Sequence, residues 1–239
     1  MKNFEDSLYN QYISTGQVNV DKDPLNVSIF NKFITKRFII NQVKPHERIV
    51  DLGCGYGQLV SYLNSINFNA LGIEISNELY QLSKNIGISS VIHGDIFEFL
   101  VKQESKSIKL IILNDILEHF AVEEAINLLK LSYSKLSDDG FIIGHVPCAT
   151  GIFSNRVRYG DLTHKLAFTT QSLEQLRKFC NYNSLIVFED KPLGNSIKGV
   201  LRRFIWNIIC LRYRFIYFIE TGEKKVILSQ NLTFKLSKN

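Results

Sequence analysis

Cysteine is scarce in this chain and unpaired in pattern. Cys54, Cys148, Cys180 and Cys210 lie far apart, with no C-x-x-C spacing. That argues against a disulfide framework and a thiolate zinc site, and it suits a reducing compartment. Low-complexity tracts are missing, and nothing repeats at solenoid spacing. The opening residues, Met1-Lys2-Asn3-Phe4-Glu5-Asp6, hold no apolar signal core, so a cytoplasmic location is expected. The apolar run in residues 198–218 is broken by Asn207, Arg212 and Arg214, which makes it a poor transmembrane helix.

What is present is enough apolar sequence for a sizeable core. Hydrophobic residues make up 45%, and a length of 239 residues suits one domain with additions or two small ones. The net charge of +5 is modest but uneven. Lys198, Arg202, Arg203, Arg212 and Arg214 share one acid-free stretch with Phe204, Trp206, Tyr213, Phe215, Tyr217 and Phe218. Solvated surface is the bland reading of such residues. Their clustering fits an anionic acceptor, peripheral contact with the inner face of a membrane, or a homodimer face.

The chain is organised around Ile49-Val50-Asp51-Leu52-Gly53-Cys54-Gly55-Tyr56-Gly57-Gln58. The apolar run Arg48 to Leu52 has the length of a buried parallel strand, and a helical pattern runs from Gln58 to Ile66. Strand, glycine turn and helix present backbone N–H groups to a ligand, and glycine lets the ligand approach the backbone. Nicotinamide and flavin sites favour G-x-G-x-x-G, whereas this turn reads G-x-G-x-G. An acid at the strand end sits poorly beside a diphosphate and well beside a cationic ligand.

Further short strands are expected at Asn69–Glu74, Ser90–His93, Ile108–Leu113, Phe141–Val146, Leu185–Phe188 and Val226–Leu236. Helical patterns separate them, notably Val122–Lys135 and one capped near Thr170 or Ser172. Ser76 is expected to cap the helix after the second strand. Before the first strand, Phe4 to Ile13 and Ile29 to Ile39 read as helices, with a loop from Val18 to Pro24. Asp51, Glu74, Asp95 and Asp115 fall at or just beyond strand ends, where ligands bind in open α/β sheets. Glu74 is 23 residues after Asp51, the place of a ribose-binding acid in nucleotide-binding βαβ units.

Through about residue 147 this set resembles the motifs of class I S-adenosylmethionine (SAM) methyltransferases. The resemblance implies a Rossmann-like, doubly wound α/β fold, with a mostly parallel seven-stranded sheet, helices on both faces and an antiparallel last strand. It implies one domain: a helical cap (1–47), a SAM-binding core (48–191), a basic aromatic insert (192–225), and a last strand and tail (226–239). Asp51 and the loop Gly53, Cys54, Gly55, Tyr56, Gly57 would hold the amino-acid end of SAM. Glu74 and Ile75 would take the ribose, Asp95 and Ile96 the adenine, and Asn114 and Asp115 would complete the cofactor wall. The run Tyr159-Gly160-Asp161-Leu162-Thr163-His164, followed by Phe168-Thr169 and Ser172-Leu173, is similar to methyltransferases of bacterial surface-polysaccharide synthesis. That implies O-methylation of a sugar or glycan hydroxyl, with another small metabolite, a phosphorylated compound or a quinone precursor, as the alternative acceptor. A nicotinamide-dependent oxidoreductase is the competing class, disfavoured by the glycine spacing and by Asp95. Relatives often carry Asn after the proline of the fifth strand, where this chain has Cys148. A D/N-P-P-Y run is missing after the fourth strand, where Asn114-Asp115-Ile116-Leu117 stands. That disfavours base N-methylation, and no nucleic-acid partner is expected.

A hydroxyl acceptor calls for a base, and histidine is suited to that at neutral pH. His119, His145 and His164 follow the fourth and fifth strands on the acceptor side. His164 ranks first because Asp161 could orient it, then His145, then His119. For each, a structural role competes. Asp115 and Glu118 could orient a histidine or bind a metal, but the site is assigned none.

Overall fold

The computed structural model describes residues 8, 11, 13–14, 27–192 and 196–239. The expected helix from Phe4 to Ile13 lies outside these apart from isolated residues, as does the loop from Val18 to Pro24.

The described chain begins with α1 (Ile29–Ile34), capped by the Ser28 hydroxyl, and a π-helical turn, Thr35–Ile39. Then follow β1 (Arg48–Leu52), α2 (Gln58–Ser65), β2 (Asn69–Glu74), α3 (Asn77–Asn85), β3 (Val91–His93) and α4 (Ile96–Val101). Next are β4 (Ile108–Asn114), a 3-10 turn (Leu117–His119), α5 (Val122–Lys135), β5 (Leu136–Pro147), α6 (Ser154–Arg158) and α7 (Thr170–Phe179). The chain ends with β6 (Ser184–Glu189), α8 (Ile197–Thr221) and β7 (Asn231–Ser237).

The sheet order is β3-β2-β1-β4-β5-β7-β6. Pairings from β3 to β5 are parallel, and β7 runs antiparallel to both β5 and β6. This is the expected mostly parallel, doubly wound sheet. Alternate side chains leave a strand on opposite faces. Val50, Ile111 and Ile142 accordingly join one core with α4 and α5, while Ile49, Leu110 and Ile143 join another with α1 and α2.

Some boundaries differ from the sequence reading. β7 begins at Asn231 rather than Val226, because the backbone before it bonds elsewhere: Leu228 N–H donates to Glu189 Oε1, and Ile152 N–H to Leu228 O. The cap of α7 is Thr169, whose hydroxyl accepts from Ser172 N–H. Ser76 caps α3 as expected. The segment from Ile34 to Val43 packs on a sheet face against Ile49, Leu110 and Ile143. Residues 197–221 of the insert form one 25-residue helix.

Candidate functional site

The glycine turn after β1 is pinned to its neighbour. Gly53 N–H and Cys54 N–H both donate to Ile73 O of β2, at 2.8 and 3.1 Å. Gly53 has φ +72°, and a Cβ there would sit 2.0 Å from Ile116 Cδ1, so no side chain fits. Gly55 has φ +59° with open space around it: it lines a cavity, and a side chain would be strained and would project where a ligand goes.

That cavity, about 800 Å³, lies across the carboxyl ends of the strands. Of the residues expected to hold cofactor, Gly53, Gly55, Glu74, Ile75, Asp95, Ile96, Asn114 and Asp115 line it. Asp51, Cys54, Tyr56 and Gly57 are not among the lining residues. Cys54 Sγ packs over Gly72, where a Cβ would come within 2.4 Å of it. The Tyr56 hydroxyl accepts from Gln58 Nε2 at 3.1 Å.

Glu74 is buried and accepts two backbone bonds, from Gly55 N–H (2.8 Å) and Ser76 N–H (2.7 Å). Each oxygen keeps a second lone pair for a ligand hydroxyl. Burial still raises Glu74 above its ordinary value, the backbone bonds offsetting only part of that. Burial, and then the charge of Glu74, push Asp51 up to about 8. Asp51 Oδ1 has no hydrogen-bond partner. Two acids crowded behind a glycine turn, one with an orphaned oxygen, fit a ligand that brings positive charge and ribose hydroxyls. The Asn114 Oδ1 is orphaned as well, on the cavity wall. Asp95 Oδ1 caps α4 through Phe97 N–H and Glu98 N–H. The donor set fits SAM.

The acceptor side is built by the turn after β4 and by residues 156–164. His119, His164, Asp161 and Glu118 line the cavity, and His145 does not. His145 departs from the expected role of base. Its Nδ1 lies 2.6 Å from Asp115 Oδ1 and its Nε2 lies 2.6 Å from Asp190 Oδ2. Carboxylates accept only, so both ring nitrogens donate and the ring is an imidazolium. Burial alone would lower it, but attraction to Asp115 and hydrogen bonds to both acids hold it well above 6.5. It is a clamp between the loops after β4 and β6, with no nitrogen left for a substrate proton.

Asp161 also acts differently than expected. Its Oδ1 accepts from Thr163 N–H (2.8 Å) and from the Thr163 hydroxyl (2.6 Å), not from His164. The Thr163 oxygen in turn lies 2.8 Å from His119 Nδ1, and since its proton goes to Asp161 it accepts from His119. Asp161 therefore positions His119. His164 is oriented by a backbone carbonyl: its Nδ1–H donates to Val157 O at 3.0 Å. Its Nε2 is 4.0 Å from Glu118 Oε1. The rings of His119 and His164 meet edge to face, with centroids 4.7 Å apart.

Glu118 is fully buried, and neither carboxyl oxygen has a hydrogen-bond partner. Burial first, and Asp115 second, push it well above the usual carboxylate range. Burial, followed by the nearby His164, pulls His119 down to about 4, so that ring is neutral near pH 7. One ligand atom from each of Glu118, His119 and His164 lies within 4.8 Å of the others, a spacing that could hold a metal ion. Arg156, Gly160 and Asn231 also line the cavity and were not foreseen from the sequence. The motif that begins at Tyr159 was a signal for Gly160; no sequence signal marked Arg156 or Asn231.

A methyltransferase-domain family matches residues 31–190, more than half of the chain. An uncharacterized protein of Methanocaldococcus jannaschii is 27% identical over 121 residues, 51% of this chain and 45% of that protein, so the match spans less than half of that relative. A SAM-dependent methyltransferase from Archaeoglobus fulgidus superposes with a TM-score of 0.64 at 20% identity, covering 88% of this chain and all of that one (100%). Phosphoethanolamine N-methyltransferase 2 of Haemonchus contortus, in complex with SAM, gives 0.63 at 16% identity, over 96% of this chain and 60% of that one. At these identities the structural likeness shows the fold. The chain belongs to the methyltransferase-domain family and has the fold of the SAM-dependent methyltransferases.

Proposed function

We propose that this protein is a SAM-dependent O-methyltransferase whose acceptor is a sugar or glycan hydroxyl in cell-surface polysaccharide synthesis. The observation that carries the reading is the cavity, with nucleoside-type acids along β1 to β3 and a buried imidazole pair beyond β4. Its volume of about 800 Å³ is large enough for a cofactor and a small acceptor together. The polar lining at Arg156, Asp161 and Asn231 suits a hydroxyl-rich acceptor. The Asp161-Leu162-Thr163-His164 run, the source of the glycan resemblance, supplies part of that lining.

When bound, SAM supplies an electrophilic methyl group on a sulfonium. The chain's own task is to hold the acceptor oxygen in line and take its proton. His164 does the second: Val157 O fixes the proton on Nδ1, so the lone pair is on Nε2. Glu118 is the buried carboxyl nearest to the positive charge that then forms on the ring. His119, held by Thr163 and Asp161, stays neutral and shapes the pocket beside it. Labelled-SAM assays against nucleotide-sugar and glycan pools test the acceptor class: a labelled sugar product is expected, and label transfer only to other metabolites would overturn it.

Glu74→Ala is expected to weaken SAM binding by about 1.5–3 kcal/mol, the range for hydrogen bonds to a charged group. Unchanged affinity in calorimetry would remove Glu74 from the site.

A second reading is favoured by the orphaned Glu118 carboxyl. Glu118, His119 and His164 would bind a divalent ion, and two imidazoles with one carboxylate suit zinc, iron or manganese. The histidine-base mechanism predicts that turnover survives exhaustive chelation. Loss of turnover with EDTA, restored by added metal, would replace it with the metal reading.

A further inference from the structure

The longest helix of the described chain is held along one side. Gly199 and Cys210 are its buried residues. Arg214 Nη2 meets both oxygens of Glu189, at 3.0 and 2.7 Å, and Arg203 Nε donates to Pro192 O. On the opposite side Ile197, Leu201, Phe204, Leu211, Phe215 and Ile219 recur at intervals of three, four and seven residues. They are 90, 55, 62, 71, 64 and 67% exposed. At about 1.5 Å per residue this apolar stripe runs for over 30 Å. Contiguous apolar surface of that extent marks an interaction site.

Charge selects the partner. From Ile197 to Ile219 the sequence has no Asp or Glu. Lys198, Arg202 and Arg212 are exposed along the same helix, beside the stripe. A second copy of the chain would bring the same cations against this face and no acid from the stripe to pair with them. Among the described residues no helix is long and apolar enough to cross a membrane. A helix with a wide apolar side, a basic flank and aromatic residues lies in the plane of a membrane surface.

We propose that α8 seats the protein on an anionic phospholipid surface, with Phe204, Leu211 and Phe215 in the headgroup–acyl boundary and the free cations on lipid phosphates. Its position gives this a use. α8 joins the end of β6 to the start of β7, where Glu189 pairs with Leu232 and Pro147 with Asn231. That is the carboxyl edge of β5, on which the cavity opens, and Asn231 itself lines the cavity. The anchor and the acceptor side therefore share one edge of the sheet.

The test is co-sedimentation of the full chain with vesicles of phosphatidylcholine alone or mixed with phosphatidylglycerol. Binding is expected on the mixed vesicles, weakened by salt. The triple variant K198E/R202E/R212E should lower the partition coefficient about a hundredfold or more. F204S/F215S should abolish binding with an unchanged thermal melt. Hydrogen exchange on the unaltered protein gives a check independent of any variant: α8 amides should gain protection on mixed vesicles only. Equal sedimentation with both vesicle types, or none with either, would overturn the proposal. So would a dimer in analytical ultracentrifugation that F204S/F215S dissociates while vesicle binding is nil.

Discussion

His164→Ala is expected to keep its affinity for SAM and to lose turnover by a factor of about 100 to 10,000, the usual worth of a general base. Two features suit this residue to the role, and His119, which shares them, is set apart by burial that pulls its ring down to about 4. The His164 Nδ1 proton is fixed by Val157 O, which leaves Nε2 as the basic nitrogen, and the ring lines the cavity. A base must be unprotonated to act, so the rate falls as pH drops, and the variant should flatten that acidic limb. His119→Ala makes a useful contrast, because that ring titrates only near 4 and is neutral over the working range. Its loss should affect acceptor KM more than the shape of the pH profile. Normal turnover in His164→Ala would end the base assignment, and chelation would then show whether metal at Glu118 is the better account.

The fold was legible because buried parallel strands leave short apolar runs with turn residues between them. Arg48–Leu52, Asn69–Glu74 and Val122–Lys135 agree with the sequence reading to the residue. What failed was a segment whose composition and hydrogen bonding disagree. Val226 to Leu228 is apolar enough for a strand, yet its backbone serves the Glu189 carboxylate and the loop after β5 rather than the ladder. The extension of β5 back to Leu136 was equally hidden, since Asp138-Asp139-Gly140 reads as a turn. There the pairing with β4 shifts register between Ile108 and Leu110.

The site was legible where function rests on position along a strand, and not where it rests on contacts across the chain. Glu74 and Asp95 could be placed because βα units set their acids at fixed points. Asp190 could not: it reaches His145 across 45 residues of sequence, and no local pattern marks it. The Asp161–Thr163–His119 chain has the same character. Sequence proximity suggested that Asp161 orients His164, but the turn aims its carboxylate at the Thr163 N–H and hydroxyl instead. A carbonyl then takes the expected place of the acid beside His164.

The His145 clamp makes the other strong prediction. His145→Phe should destabilise the protein by about 3 kcal/mol near pH 6, the low end of the range for breaking a buried ion pair. The low end applies because the Asp115 side chain is 58% exposed, so solvent screens part of the attraction; Asp190 is 20% exposed. The pH dependence follows from the direction of the shift. His145 is held well above 6.5 in the fold. Its contribution is therefore complete below about pH 6.5 and declines as pH rises from there through the folded value. Asp115 adds a weaker opposite edge: partial desolvation of its carboxyl would raise it, but the charge and hydrogen bond of His145 hold it below 3.8. That part is present above about pH 3.8 and is lost on acidification below it. Urea unfolding of the two proteins should thus show the widest gap between about pH 4 and 6.5, narrowing toward alkaline pH. A gap that stayed constant from pH 6 to 10 would assign the loss to packing against Phe30, whose ring lies 4.6 Å from the imidazole, and not to the charged clamp.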